Sequence, residues 1–181
     1  MIINISQDGF FYIALIFYLY LTYKIINKSN HRNKINELVL LLFGIYIIKV
    51  LTLVFFPISI TIGCNSVNVS PTVWLNPIKS ISYIIKSNTL YRIIYNIGGN
   101  FILLMPLPVF LIYFFKDKVD SLKKIILICF LISLSIECLQ YVESIIIPSV
   151  GRFFETNDII LNTLGAEVGY IIYNKYLRKL L

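Results

Sequence analysis

The stretch IILICFLISLSIECLQYV, residues 125–142, decides how this chain is read. A membrane-spanning helix needs about 17–25 mostly apolar residues, and this run of 18 meets that length. Yet Glu137 and Gln140 sit inside it. A carboxylate at mid-bilayer costs about 2.5–3.5 kcal/mol or more, so it is rarely placed there without a partner or a task. The run therefore predicts a span with a polar face turned toward other helices.

Working outward, the composition agrees. Of 181 residues, 58% are apolar and only 14% are charged, where a soluble domain carries about 25% charged residues. The apolar residues come in long runs. Five approach spanning length: 9–26, 38–62, 97–115, 125–142 and 159–173. The last is short and is expected to start in the polar loop near Asn157. The expected fold is an all-α integral membrane bundle of about five transmembrane helices. A short interfacial or re-entrant helix is added to it. No internal repeat or linker divides the chain. The expected parts are an N-terminal helix and basic loop at 1–37, a membrane domain at 38–174, and a short basic tail at 175–181.

The basic residues orient these spans. Lys24, Lys28, Arg32 and Lys34 follow span one, and Lys116, Lys118, Lys123 and Lys124 join spans three and four. Lys175, Arg178 and Lys179 follow span five. If the spans alternate, these fall on one side. Lys79, Lys86, Arg92 and Arg152 fall on the other, and Lys49 lies within a span. The excess of Lys and Arg on cytoplasmic loops then puts the N-terminus outside and the C-terminus in the cytoplasm of a multi-pass membrane protein. No basic region precedes the first apolar run and no small-residue cleavage pattern follows it, so that run is expected to be a retained span.

The net charge of +7 raises nucleic acid as a partner. No recognition motif or basic stripe interleaved with aromatics supports that, so none is expected. Cys64, Cys129 and Cys138 have no metal-ligand spacing and read as small apolar residues. His31 sits in a basic connector and reads as solvated. No metal or cofactor is expected.

Between spans two and three, WLNPIKSISYIIK (74–86) reads as a short amphipathic helix. Asn76 suits its N-cap and Pro77 its first turn. Trp74, Ile78, Ile81 and Ile85 form an apolar stripe, while Lys79 and Lys86 stay wet. A helix lying on the outer leaflet is expected, with a re-entrant loop as the competing arrangement.

Depth then gathers the polar residues. Span three runs inward from Asn96 and Asn100, which share a helix face. Span four runs outward toward Glu137 and Gln140, with Ser133 on the same face. Span five runs inward from Asp158 and Asn162, and the connector GRFFETND brings Arg152 and Glu155 to that end. Asn96, Asn100, Glu137, Gln140, Arg152, Asp158 and Asn162 thus form a candidate ligand-binding site in the outer leaflet. Glu137 is expected to turn inward toward Gln140, Asn100, Arg152 or Lys49. Arg152 suits a carboxylate or phosphate, because a guanidinium offers two parallel hydrogen bonds. Lys49 and Glu167 lie at similar depth and form a candidate ion pair. All of these pairs also read as helix-to-helix glue. Gly165 and Gly169, four apart, read as a close-packing face. Pro106 and Pro108 are expected to kink or break span three.

Three segments carry a family resemblance: NIGGNFILLMPL (96–107), SIECLQ (135–140) and GRFFETNDIILNTLGAEVGY (151–170). Their order and spacing resemble the VanZ-like family, and LNPI (75–78) resembles its Asn-x-x-Pro element in compressed form. The resemblance covers roughly residues 38–174. The chain departs from the family's frequent Pro-x-Gly with Pro106-Leu107-Pro108. The resemblance implies a cell-envelope protein linked to lowered susceptibility to the glycopeptide antibiotic teicoplanin. It also marks the seven polar residues above as positions of interest. Three readings follow. The first is a site for a lipid headgroup, a lipid-linked cell-wall precursor or the antibiotic itself. The second is an intramembrane enzyme on a lipid-linked substrate, with Glu137 and Asp158 as acid–base residues. The third is a transporter or a structural partner of other envelope proteins.

Overall fold

The computed structural model describes residues 2–28, 33–61, 70, 72–87, 89–116, 118–119 and 121–178. Arg32, His31, Cys64 and Lys179 lie outside the described residues. The protein is all-α in its main elements, and its contacts form two compact units, Met1–Asn68 and Val69–Leu181.

In the first unit, strand β1 (Ile2–Ile5) leads into helix α1 (Gln7–Lys28). Helix α2 (Lys34–Phe55) follows and leads into strand β2 (Ile58–Thr61). Asn33 caps α2 by accepting the Ile35 N–H at 3.0 Å. The helices pack on each other, and Gly44 makes the crossing possible. A Cβ there would lie 2.0 Å from Cζ of Tyr18, whose hydroxyl donates to the Leu40 carbonyl at 2.7 Å. The antiparallel pairing of β1 with β2, Ile2 opposite Thr61 and Ile5 opposite Ile58, ties the two ends of this unit together.

The second predicted span thus ends sooner than the hydropathy suggested. Residues 58–61 are apolar enough to continue a helix, but Pro57 excludes the α conformation from the residue before it. Phe56 is extended (φ −115°, ψ 152°), and the β-branched run after it pairs as a strand instead. Ile62 lies outside the described residues.

The second unit begins with β3 (Val73–Trp74) and α3 (Pro77–Ser87), followed by α4 (Leu90–Leu103) and α5 (Leu107–Phe115). Helix α6 (Leu122–Ile146), strand β4 (Phe154–Glu155), helix α7 (Thr156–Ile172) and a π turn (Tyr173–Leu177) complete it. The expected short helix is α3, and Asn76 caps it, its side-chain oxygen accepting the N–H groups of Ile78 (3.1 Å) and Lys79 (3.2 Å). Predicted span three starts earlier than expected, at Leu90, and breaks between α4 and α5. Pro106 and Pro108 have no N–H to give, so the chain tightens into i→i−3 bonds, Met105 to Ile102 and Leu107 to Leu104.

Helix α7 is the hub of this unit and packs against α3, α4, α5 and α6. Gly165 and Gly169 explain how closely α4 and α5 approach it. A Cβ on Gly165 would lie 1.7 Å from the Phe101 carbonyl oxygen, and one on Gly169 would lie 1.9 Å from that of Met105. The α hydrogens that point there make the Cα–H···O=C contacts typical of tight helix pairs.

Among the described residues, four helical segments are long and apolar enough to cross a membrane: Gln7–Asn27, Lys34–Phe55, Leu90–Phe115 and Leu122–Ile146. The fifth expected span corresponds to α7, whose 17 residues reach only the lower end of the spanning range of about 17–25. The π turn carries its helical path on to Leu177.

Candidate functional site

The site lies where α6 ends and α7 begins. Along α6 the buried residues are Ile125, Cys129, Ser133, Glu137 and Ser144, spaced four, four, four and seven apart on one helix face. That face meets α7. Glu137 is only 2% exposed, and its Oε2 accepts the backbone N–H of Glu155 at 3.0 Å. Glu155 is the last residue of β4 and stands just before α7. Its own carboxylate accepts a short hydrogen bond from the Ser80 hydroxyl of α3. One acidic residue on a two-residue strand thus joins α6 to α3.

That strand is held from both sides. β4 pairs in parallel with β3, Val73 opposite Phe154 and Trp74 opposite Glu155, and the Phe154 N–H donates to the Thr72 carbonyl at 3.1 Å. Just upstream, the Ser144 hydroxyl donates to the Arg152 carbonyl (2.8 Å) and accepts the Arg152 N–H (2.7 Å). The turn between them needs Gly151, whose φ of 63° is in the left-handed region.

Asp158 enters in the first turn of α7, where the helix N-terminus favours a negative charge. Its carboxylate accepts a hydrogen bond from Asn100 of α4 and lies in the fields of Glu137 and Glu155. One turn on, Asn162 is 1% exposed and donates to the Ser133 hydroxyl of α6 at 2.9 Å. Asn157 Nδ2 and Asn162 Oδ1 are buried with no hydrogen-bond partner among the described residues.

Arg152 does not clamp Glu137. Its Nε lies 3.0 Å from Oε2 of Glu143, a close ion pair without an aligned hydrogen bond. Burial pulls the Arg152 guanidinium below its ordinary pKa, opposed by Glu143 and Glu137. The centre of the site is therefore acidic, with Glu137, Glu155 and Asp158 mutually close and the nearby guanidinium engaged by a fourth carboxylate.

Of the seven residues predicted for the site, the structure joins Asn100 to Asp158 directly. It places Glu137 and Asn162 in the same α6–α7 seam, with Arg152 beside them. Gln140 is half-buried, three residues beyond Glu137 on α6, and Asn96 is exposed on α4, one turn before Asn100. Lys49 belongs to the first unit, its Nζ 4.9 Å from the centre of the Phe11 ring. Glu167 is a half-buried residue of α7 in the second unit.

The sequence reading missed Ser80, Glu143, Ser144 and Asn157 as partners. Ser144 was within reach, seven residues after Glu137 and on its face. Ser80 was hidden because only the apolar stripe of α3 was read, and Ser80 lies off that stripe. The structure buries Ser80 and Ile84 and leaves Ile78 and Ile85 exposed.

The VanZ/LLP1 family model matches residues 43–178. Neither a curated protein nor a solved structure matches the chain. The matched region runs from α2 to the π turn and contains every residue of the polar seam. The chain belongs to the VanZ/LLP1 family.

Proposed function

We propose that this VanZ-like membrane protein lowers the susceptibility of the cell envelope to teicoplanin through a polar site at the outer end of α6 and α7. The ligand is the polar part of a lipid, a lipid-linked cell-wall precursor or the antibiotic. The observation that carries this reading is the gathering of Asn100, Glu137, Glu155, Asp158 and Asn162, from four elements, at one end of the second unit. The distribution of basic residues supports an outward position for that end. The unpartnered amide atoms of Asn157 and Asn162 leave hydrogen-bonding capacity inside the seam. The acid-rich centre favours ligand groups that donate hydrogen bonds or carry positive charge.

A second reading is intramembrane acid–base chemistry on a lipid-linked substrate. The closeness of Glu137 and Asp158 favours it, since two carboxyls side by side are one way to set an acid against a base.

The test is susceptibility to teicoplanin and to vancomycin in a sensitive Gram-positive host expressing the chain, with Glu137→Gln and Asp158→Asn at matched membrane levels. A teicoplanin-selective gain that both variants lose is the expected result. No gain with the wild-type chain would separate it from antibiotic susceptibility altogether. Purified wild-type protein that consumes a lipid-linked precursor, while Glu137→Gln does not, would favour the enzymatic reading.

A further inference from the structure

Arg152 was the expected anion clamp, and the structure engages it with Glu143. Three further cations of the second unit lie on α3 and at the start of α4. Lys79, Lys86 and Arg92 are exposed, and among the described residues no carboxylate pairs with them. The sequence carries no Asp or Glu at all from residue 38 to residue 116. This basic surface stands opposite in sign to the acidic seam of α6, β4 and α7.

The same helix exposes large apolar groups. Ile78 is 74% exposed and Ile85 54%, seven residues apart on one flank of α3. Lys79 and Lys86, also seven apart, occupy the next flank round. With 11 residues, α3 is about 16 Å long, far short of a bilayer core of about 30 Å. Bulk water suits the lysines and not the isoleucines. Hydrocarbon suits the isoleucines and not the lysines. Only the boundary between them suits both. The spacing also sets the orientation, because one lysine lies near each end of α3, about 10 Å apart along its axis. A re-entrant helix standing upright would sink one of them, while a helix lying flat keeps both at headgroup depth.

We infer that α3 lies flat in the bilayer interface and is a docking surface for anionic phospholipid, with Lys79 and Lys86 on the headgroup phosphates and Ile78 and Ile85 among the upper acyl chains. Arg92, exposed at the start of α4, extends the basic edge. This surface is distinct from the polar seam, which α3 touches through the opposite side, at Ser80. It holds whether or not the seam binds an antibiotic.

Trp74 reports on this surface directly. It is the only tryptophan in the chain, and its ring centre lies 5.2 Å from that of Tyr83 on α3. The full-length protein is reconstituted in phosphatidylcholine vesicles containing brominated phosphatidylglycerol or brominated phosphatidylcholine at equal mole fraction. The expected result is stronger quenching of Trp74 by the brominated anionic lipid. Each of Lys79→Gln and Lys86→Gln then lowers that preference about five-fold, and high salt lowers it too. Lys→Arg at both positions retains it. Both lysines are exposed, so the variants keep the wild-type Trp74 emission in pure phosphatidylcholine. Equal quenching by the two lipids overturns the inference, as does no quenching by either, or a preference that survives the double Gln variant. Relief of quenching by inorganic phosphate would assign the surface to the free anion and overturn the lipid reading.

Discussion

At the scale of single residues, Glu137 is placed by what it holds. Its carboxylate satisfies the N–H of Glu155, a donor that enters the helix pair from the end of β4 and has no helical partner. An amide oxygen at the same place does the same work. Glu137→Gln is therefore expected to fold nearly as well as the wild type. Glu137→Ala strands the buried N–H and is expected to be less stable than the Gln variant by about 1–3 kcal/mol. Thermal unfolding of the purified variants in one detergent measures the difference, and equal stability would show that the bond to Glu155 contributes nothing. Comparing these two changes also isolates function, since Gln retains the hydrogen bond and loses the charge. Arg152 and Glu143 illustrate the complementary point that a charge pair between a connector and the end of α6 can serve the loop rather than the ligand.

At the scale of elements, α7 is defined by its small residues. Its glycines face backbone carbonyls, and no neighbouring side chain can swing away to make room. Gly165→Ala and Gly169→Ala each must push α7 from Phe101 or Met105. Each is expected to cost at least the about 1–3 kcal/mol of ordinary overpacking, seen as a lower unfolding temperature. Gly98 and Gly99 in α4 are the controls. A Cβ on either meets nothing within 4 Å, so Ala there is tolerated or stabilises the helix by up to about 1 kcal/mol. Equal losses at all four positions would show that the close approach of α7 to Phe101 and Met105 is not what sets the cost. The paired prolines matter at the same scale. They break the predicted third span into α4 and α5, and both pieces still pack on α7.

At the scale of the whole molecule, the central expectation is topology. Eleven of the sixteen basic residues gather on one side of an alternating arrangement, so the connector after α6 is expected outside the cell. In a variant lacking the native cysteines, Phe153→Cys is expected to react with an impermeant thiol reagent on intact cells, and Asn30→Cys only after lysis. The reverse pattern would place the polar seam at the cytoplasmic end and remove it from the path of an extracellular antibiotic. Phe153 is suited to this test because it is exposed in the connector.

The main helices were legible from the chain because their signal is local. An apolar run of spanning length and Asn76-Pro77 at the start of α3 each act within a few residues, whereas the stop at Pro57 was read through. Candidate site residues were legible because charges and amides are conspicuous in such runs, and helical spacing alone puts Ser133 with Glu137 and Asp158 with Asn162. Their partners were not. Whether Arg152 meets Glu137 or Glu143 depends on how the turn at Gly151 aims the strand after it. Whether α3 turns Ser80 or Ile78 inward depends on the acidic residue that β4 presents to it. Periodicity chooses which residues share a face, whereas the neighbour on that face is chosen by elements distant in sequence. The sequence by itself therefore determined an all-α membrane protein and its polar residues, and only the tertiary structure decided which of those residues hold one another.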